Sequence, residues 1–166
     1  VDSEFIENNS SDLASVVYLF GVSYPIFAEA ELVVQNSTFV RNGIEGGGGI
    51  FGEHFDADIQ GSVFIENGSS DRALIGHDVD GSIRNCTFVE NVYESNIVYN
   101  YEYIGGVAID NSVFWNNRHA AGIVDPVPIF GSIVRNSLVQ GGYLGVGNIA
   151  ADPNFVNDDP LIGALD

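Results

Sequence analysis

The chain of 166 residues is 45% hydrophobic and carries a formal charge of −18, with five arginines and no lysine. That apolar content is enough for one sizeable core and excludes a disordered acidic tail. The charge argues against a phosphate-backbone ligand, and no apolar run approaches the roughly 20 residues a membrane helix needs, so neither nucleic acid nor membrane insertion is expected.

Taken along the chain, the predicted elements repeat. A motif of aliphatic residue, Asn, small residue, Phe and Asn recurs with its aromatic at Phe5, Phe39, Phe64, Phe88 and Phe114, and Val139 takes that place in a sixth copy. The intervals are 34, 25, 24, 26 and 25 residues. The long first interval places an insertion around residues 8–31. Short β-type pieces precede each motif: AELVV at 30–34, ADIQ at 57–60, GSIR at 81–84, VAID at 107–110 and SIVR at 132–135. A further piece follows it, GGIFG at 48–52, RALIG at 72–76 or SNIVYN at 95–100. Val, Ile, Phe and Tyr suit a pleated surface, whereas Gly, Asn, Asp and Ser punctuate between pieces. No window carries a helical stripe. Three short strands per coil of about 25 residues predict an all-β chain, a parallel β-helix or β-solenoid.

Stacking assigns each position a role, because equivalent residues of neighbouring coils lie about 4.8 Å apart. Val34, Ile59, Ile83, Ile109 and Val134 become an aliphatic ladder, and Phe39, Phe64, Phe88 and Phe114 an aromatic stack. Asn36, Asn85, Asn111 and Asn136 stand where the chain turns; Asn tolerates left-handed angles and its amides can bond along the axis. Gly61 replaces Asn in one coil, which suits a left-handed turn. Cys86, the one cysteine, occupies the small-residue place and is expected to fill core rather than react.

With these motifs on view, the chain resembles the right-handed parallel β-helix repeat proteins that bacteria secrete or display. That group has pectate-lyase-like architecture and adhesin-like repeats, and NCTFVEN followed by a GGGGIF-type strand is similar to its repeats. The stretch 136–166, NSLVQGGYLGVGNIAADPNFVNDDPLIGALD, resembles the closing segment of such regions, although Ala150 stands where an acidic residue is frequent. The resemblance implies a right-handed coil and an extracellular, secreted or cell-surface location. It does not select an activity, since the fold hosts lyases, hydrolases, adhesins and passive surface proteins.

Three groups are candidate sites. Glu31, Asp56 and Asp80 fall three residues before the aliphatic ladder in consecutive coils. As a pair of catalytic carboxylates they would serve a polysaccharide lyase or glycoside hydrolase. With Asp58 or Asp78 they would hold calcium, and the plain alternative is a solvated acidic edge. Tyr99, Tyr101 and Tyr103, with Tyr93 and Trp115 nearby, would form a platform for stacking on sugar rings. His54, His77 and His119 are too dispersed to favour a three-His metal site. The residues after each Phe (Ile6, Val40, Ile65, Val89 and Trp115) form an outward apolar stripe fit for a partner, unless the chain bends there and both side chains point in.

Residues 1–166 are expected to form one β-helix domain or segment with a closing part around 141–166, and the lack of Met fits a mature or excised piece. Open coil ends expose strand edges and invite self-association into a filament. The leading expectation is a non-enzymatic structural or adhesive element needing no cofactor. Its competitors are a carbohydrate-active β-helix and a calcium-dependent glycan-binding one.

Overall fold

The computed structural model describes residues 2–8, 14–20, 30–43, 48–68, 74–94, 96–99, 106–121 and 129–155. In chain order the strands begin with β1 (Glu4–Ile6), β2 (Ala14–Phe20), β3 (Ala30–Gln35), β4 (Thr38–Val40), β5 (Gly48–Gln60), β6 (Val63–Ile65), β7 (Ile75–Arg84) and β8 (Thr87–Val89). They continue as β9 (Val92–Tyr93), β10 (Val98–Tyr99), β11 (Val107–Asp110), β12 (Val113–Trp115), β13 (Arg118–His119), β14 (Ile129–Phe130), β15 (Ile133–Arg135) and β16 (Leu138–Val139). No helix occurs among the described residues.

One sheet runs β1-β4-β6-β8-β12-β16, a second contains β2, β3, β5, β7, β10, β11, β14 and β15, and β9 pairs with β13. Every pairing between these strands is parallel, so the chain returns to the same edge once per repeat, an arrangement compatible with a β-solenoid. The register matches like with like. Val34 pairs with Ile59, Ile59 with Ile83, Ile83 with Ile109, and Ile109 with Val134. Phe5, Phe39, Phe64, Phe88 and Phe114 stack with ring centroids 4.6–4.8 Å apart and planes within 12° of each other, and Val139 is the next rung. The strand spacing sets that centroid distance, and each buried ring removes roughly 150–250 Å² from water.

Two sharp corners per repeat make the coil turn. The first is at Asn36, Gly61, Asn85, Asn111 and Asn136, with φ between 48° and 60°. The second is at Glu7, Arg41, Glu66, Glu90 and Asn116, with φ between 51° and 56°. Left-handed angles suit Asn and Gly but cost Glu and Arg roughly 1 kcal/mol each, which the parallel pairing on both sides must offset.

Two expectations are refined. In β5 and β7 the last strand of one repeat runs on into the first of the next without a break. Of the two readings of the apolar stripe, burial favours the one in which the chain bends and both side chains are enclosed. Val40, Ile65 and Val89 are only 3%, 1% and 3% exposed, closed off by the chain itself just before the second corner, although they lie outside the main core cluster. Ile6 at 47% and Trp115, half-buried, are all that faces solvent, so the stripe does not exist as a continuous surface.

After β16 the chain makes a short return that stands in for a further coil. Ser137 N–H donates to Asn148 Oδ1 at 3.0 Å, Asn148 Nδ2 donates to Val134 O at 2.9 Å, and Val139 N–H donates to Ile149 O at 3.0 Å. An offset of 11 residues from Ser137 thereby supplies what a repeat supplies elsewhere at 24–26. Tyr143 packs against the core, its hydroxyl donating to Ser132 O at 3.3 Å, and burial raises its pKa.

Candidate functional site

The acidic row is positioned by alternation. On β5, Phe55, Ala57 and Ile59 point into the core, which turns Asp56 and Asp58 outward. Glu31, Asp56 and Asp80 are then Cα partners on β3, β5 and β7, one carboxylate per rung. Glu31 and Asp80 are exposed and Asp56 is half-buried. In the next coil Gly106 follows Asp80, and its N–H donates to Asp80 Oδ1 at 2.9 Å, so the row ends in a backbone contact rather than a fourth acid.

Asp58 is engaged differently. Its Oδ1 accepts from Arg84 Nη2 and from Ser82 Oγ, both at 2.8 Å and both one coil away. The Arg84 hydrogen bond, followed by that from Ser82, holds its carboxyl below the usual aspartate value. A second cross-coil pair, Arg135 Nη2 to Asp110 Oδ2 at 3.1 Å, lies further along the same face. No group of three or more His, Cys, Asp or Glu side chains fit to hold a metal occurs among the described residues. The side chains of Asp78, His54 and His77 lie outside that description. His119 is edge-on to Tyr93, with ring centroids 6.2 Å apart, and its Nδ1 accepts from Ala121 N–H at 3.1 Å.

The tyrosine platform is not assembled from the residues on view. Tyr101 and Tyr103 lie outside the described residues, and Tyr99 is described only through its backbone on β10. Trp115 ends β12 in a different sheet. Tyr93 is fully buried in the core and is corrected from sugar platform to core residue.

The most developed polar feature escaped the sequence reading. Asn8, Asn42, Asn67, Asn91 and Asn117 each follow the second corner, and the last four are 0–3% exposed. At each rung the backbone N–H and Nδ2 donate to Oδ1 of the next Asn at 2.9–3.0 Å, from Asn8 through to Asn117. The second Nδ2 hydrogen donates at 2.9 Å to the carbonyl of the Phe one coil earlier: Phe5, Phe39, Phe64 and Phe88 in turn. Asn42, Asn67 and Asn91 thus make the full set of amide bonds inside the protein, the condition for burying them cheaply. A clue was available: Asn stands three residues after all five motif phenylalanines, whereas Gly61 interrupts the outer Asn row.

A second interior row uses the small residues. Ser37, Ser62, Cys86, Ser112 and Ser137 are all buried, and each donates to the carbonyl two residues earlier at 2.7–3.2 Å. Ser37, Cys86 and Ser112 N–H groups donate to the hydroxyl of the next rung at 3.1 Å. Cys86 therefore substitutes a thiol for a hydroxyl, and burial pushes its pKa up. The outer Asn row is exposed; there Asn111 Nδ2 donates to Asn85 Oδ1 at 2.6 Å.

No protein-family model, curated protein or solved structure matches the chain.

Proposed function

We propose that the chain is a right-handed β-solenoid serving as a non-enzymatic structural or adhesive element, secreted or displayed at a cell surface. The observation that carries this reading is where the repeat spends its polar groups: its buried Asn and Ser side chains all bond from coil to coil. Such a row makes a stiff rod rather than a reactive cleft. Handedness and location rest on the resemblance of the repeat to pectate-lyase-like β-helix proteins. The experiment is incubation with a panel of acidic and neutral polysaccharides, scored for reducing ends and unsaturated products. No turnover is expected; turnover abolished by Asp56→Asn would overturn the proposal.

A second reading is favoured by one observation, the in-register carboxylates of Glu31, Asp56 and Asp80. Like charges one strand apart are relieved by a cation, so a calcium-dependent glycan-binding β-helix is the alternative. Thermal melts with calcium and then chelator decide it: a reversible rise in midpoint, lost in Asp56→Asn, supports this reading, and an unchanged midpoint removes it.

A further inference from the structure

The outer corner row carries a second pattern on top of its turn. Asn followed two residues later by Ser or Thr, with any residue but Pro between, is the acceptor pattern for an N-linked glycan. It occurs at Asn8, Asn9, Asn36, Asn67 and Asn85. The first two run into Ser10 and Ser11, outside the described residues, and the remaining three differ in environment. Asn67 is 0% exposed and spends both Nδ2 hydrogens inside the protein, on Phe39 O at 2.9 Å and Asn91 Oδ1 at 3.0 Å. Asn36 and Asn85 stand exposed at the first corner. Their middle residues, Ser37 and Cys86, are buried, whereas Thr38 and Thr87 precede the inward Phe39 and Phe88 on β4 and β8 and alternate outward, half-buried. Amide and hydroxyl thus share the solvent side.

We propose that Asn36 and Asn85 are acceptor sites for N-linked oligosaccharide and that the folded rod carries both glycans. The stack leaves room for them. The coil between has Gly61 at the corner and Val63 in register with the two Thr, so the acceptors lie two rungs, about 10 Å, apart with no side chain between them at that corner. Acceptors in adjacent coils, about 4.8 Å apart, would crowd two such bulky groups. The amides are turned to suit. Asn85 Oδ1 accepts from Asn111 Nδ2 at 2.6 Å, which directs Asn85 Nδ2, the atom that is glycosylated, away from Asn111. Asn36 Oδ1 leans over Gly61, 2.6 Å from where a Cβ would stand. In the transfer, Nδ2 attacks the sugar C1 of a lipid-pyrophosphate-linked oligosaccharide, the C1–O bond breaks, the lipid pyrophosphate leaves with its electron pair, and Nδ2 loses one proton. One N–H and the Oδ1 acceptor remain, so the bond from Asn111 survives. At Asn67 the same step would take a hydrogen that Phe39 O or Asn91 Oδ1 holds. Asn111 and Asn136, in the same row, are followed by Val113 and Leu138 and lack the hydroxyl.

The proposal rests on the exported reading above, since such transfer accompanies export. Produced as the full chain behind a secretion signal in a eukaryotic host, which supplies the donor, the folded protein should be occupied at Asn36 and Asn85 and bare at Asn67. Glycosidase release in heavy-oxygen water converts each occupied Asn to a labelled Asp, and peptide masses then locate them. Thr87→Ala should empty Asn85 alone, and Thr87→Ser should keep it filled. A folded protein bare at Asn36 or Asn85, a glycan on Asn67 in the folded fraction, or Asn85 still occupied in Thr87→Ala would each overturn the proposal. Because the signal is supplied, a failed pattern strikes the sites and leaves the structural reading standing. Polysaccharide turnover strikes that reading and not the sites.

Discussion

Two asparagine rows climb the molecule in parallel, one at each corner, and they have opposite environments. Asn36, Asn85, Asn111 and Asn136 take the left-handed corner angle themselves and are exposed. Asn42, Asn67 and Asn91 follow a left-handed Arg or Glu, Asn117 follows a left-handed Asn116, and all four are buried. In the outer row the residue is chosen mainly for its backbone, so Gly61 takes the same left-handed corner and gives up only an exposed amide contact of the kind Asn111 makes with Asn85. In the inner row it is chosen for its amide, which completes three or four bonds that neither Gly nor an apolar residue can supply. Periodic recurrence therefore identifies a position that matters but not which half of the residue matters there.

Substitutions can break that contrast or sharpen it. Asn67→Ala should have the largest effect, destabilising by about 4 kcal/mol in urea unfolding, because it orphans the buried Asn42 N–H and Phe39 carbonyl. At the outer corner, Asn85→Ala should cost only about 1 kcal/mol, because Ala lacks the short polar side chain that lets Asn tolerate the left-handed angle and that accepts from Asn111 in the exposed row, and Asn85→Gly should fall within about 0.5 kcal/mol of the parent. Equal losses for Asn67→Ala and Asn85→Ala would abolish the distinction. Cys86→Ser should leave stability within about 1 kcal/mol, since it returns a hydroxyl to a serine row. In the parent, a thiol reagent should label Cys86 only as fast as the protein opens, because the thiol is buried and its pKa raised. Smallest is the Asp58–Arg84 pair on the outer face. Its folded-state carboxyl lies below the ordinary 3.8, so its contribution is complete above that pH and fades as acid protonates it in the folded protein. Because the pair is partly exposed, Arg84→Gln should remove less than about 1 kcal/mol at neutral pH and nothing in strong acid.

The all-β, parallel stacking of repeat on repeat was legible. Ile59, Ile83 and Ile109 share a register because 24–26 residues separate them, and spacing alone places like on like. The same alignment put Glu31, Asp56 and Asp80 on one row. What spacing does not carry is environment. Val40, Ile65 and Val89 alternate outward on a short strand, and their burial depends on what else in the chain covers them. A buried, fully bonded Asn67 and a solvated, turning Asn85 are the same letter, distinguished only by the regularity of the Phe-x-x-Asn step. Asp58 stood as a calcium candidate beside the plain reading of a solvated acidic edge, and its Arg84 partner, 26 residues on, is not a neighbour until the coils stack.

The inner row also bears on chemical ageing. Asn42-Gly43 and Asn67-Gly68 are Asn-Gly steps, the dipeptide most prone to deamidate when the glycine nitrogen is free to attack the side-chain amide. Here Gly43 N–H is bound to Asn8 O and Gly68 N–H to Asn42 O, while both amides are clamped between rungs. Folding therefore shelves two clocks that would run in the open chain, and each rung that melts restarts one and leaves behind a carboxylate where the stack requires an amide.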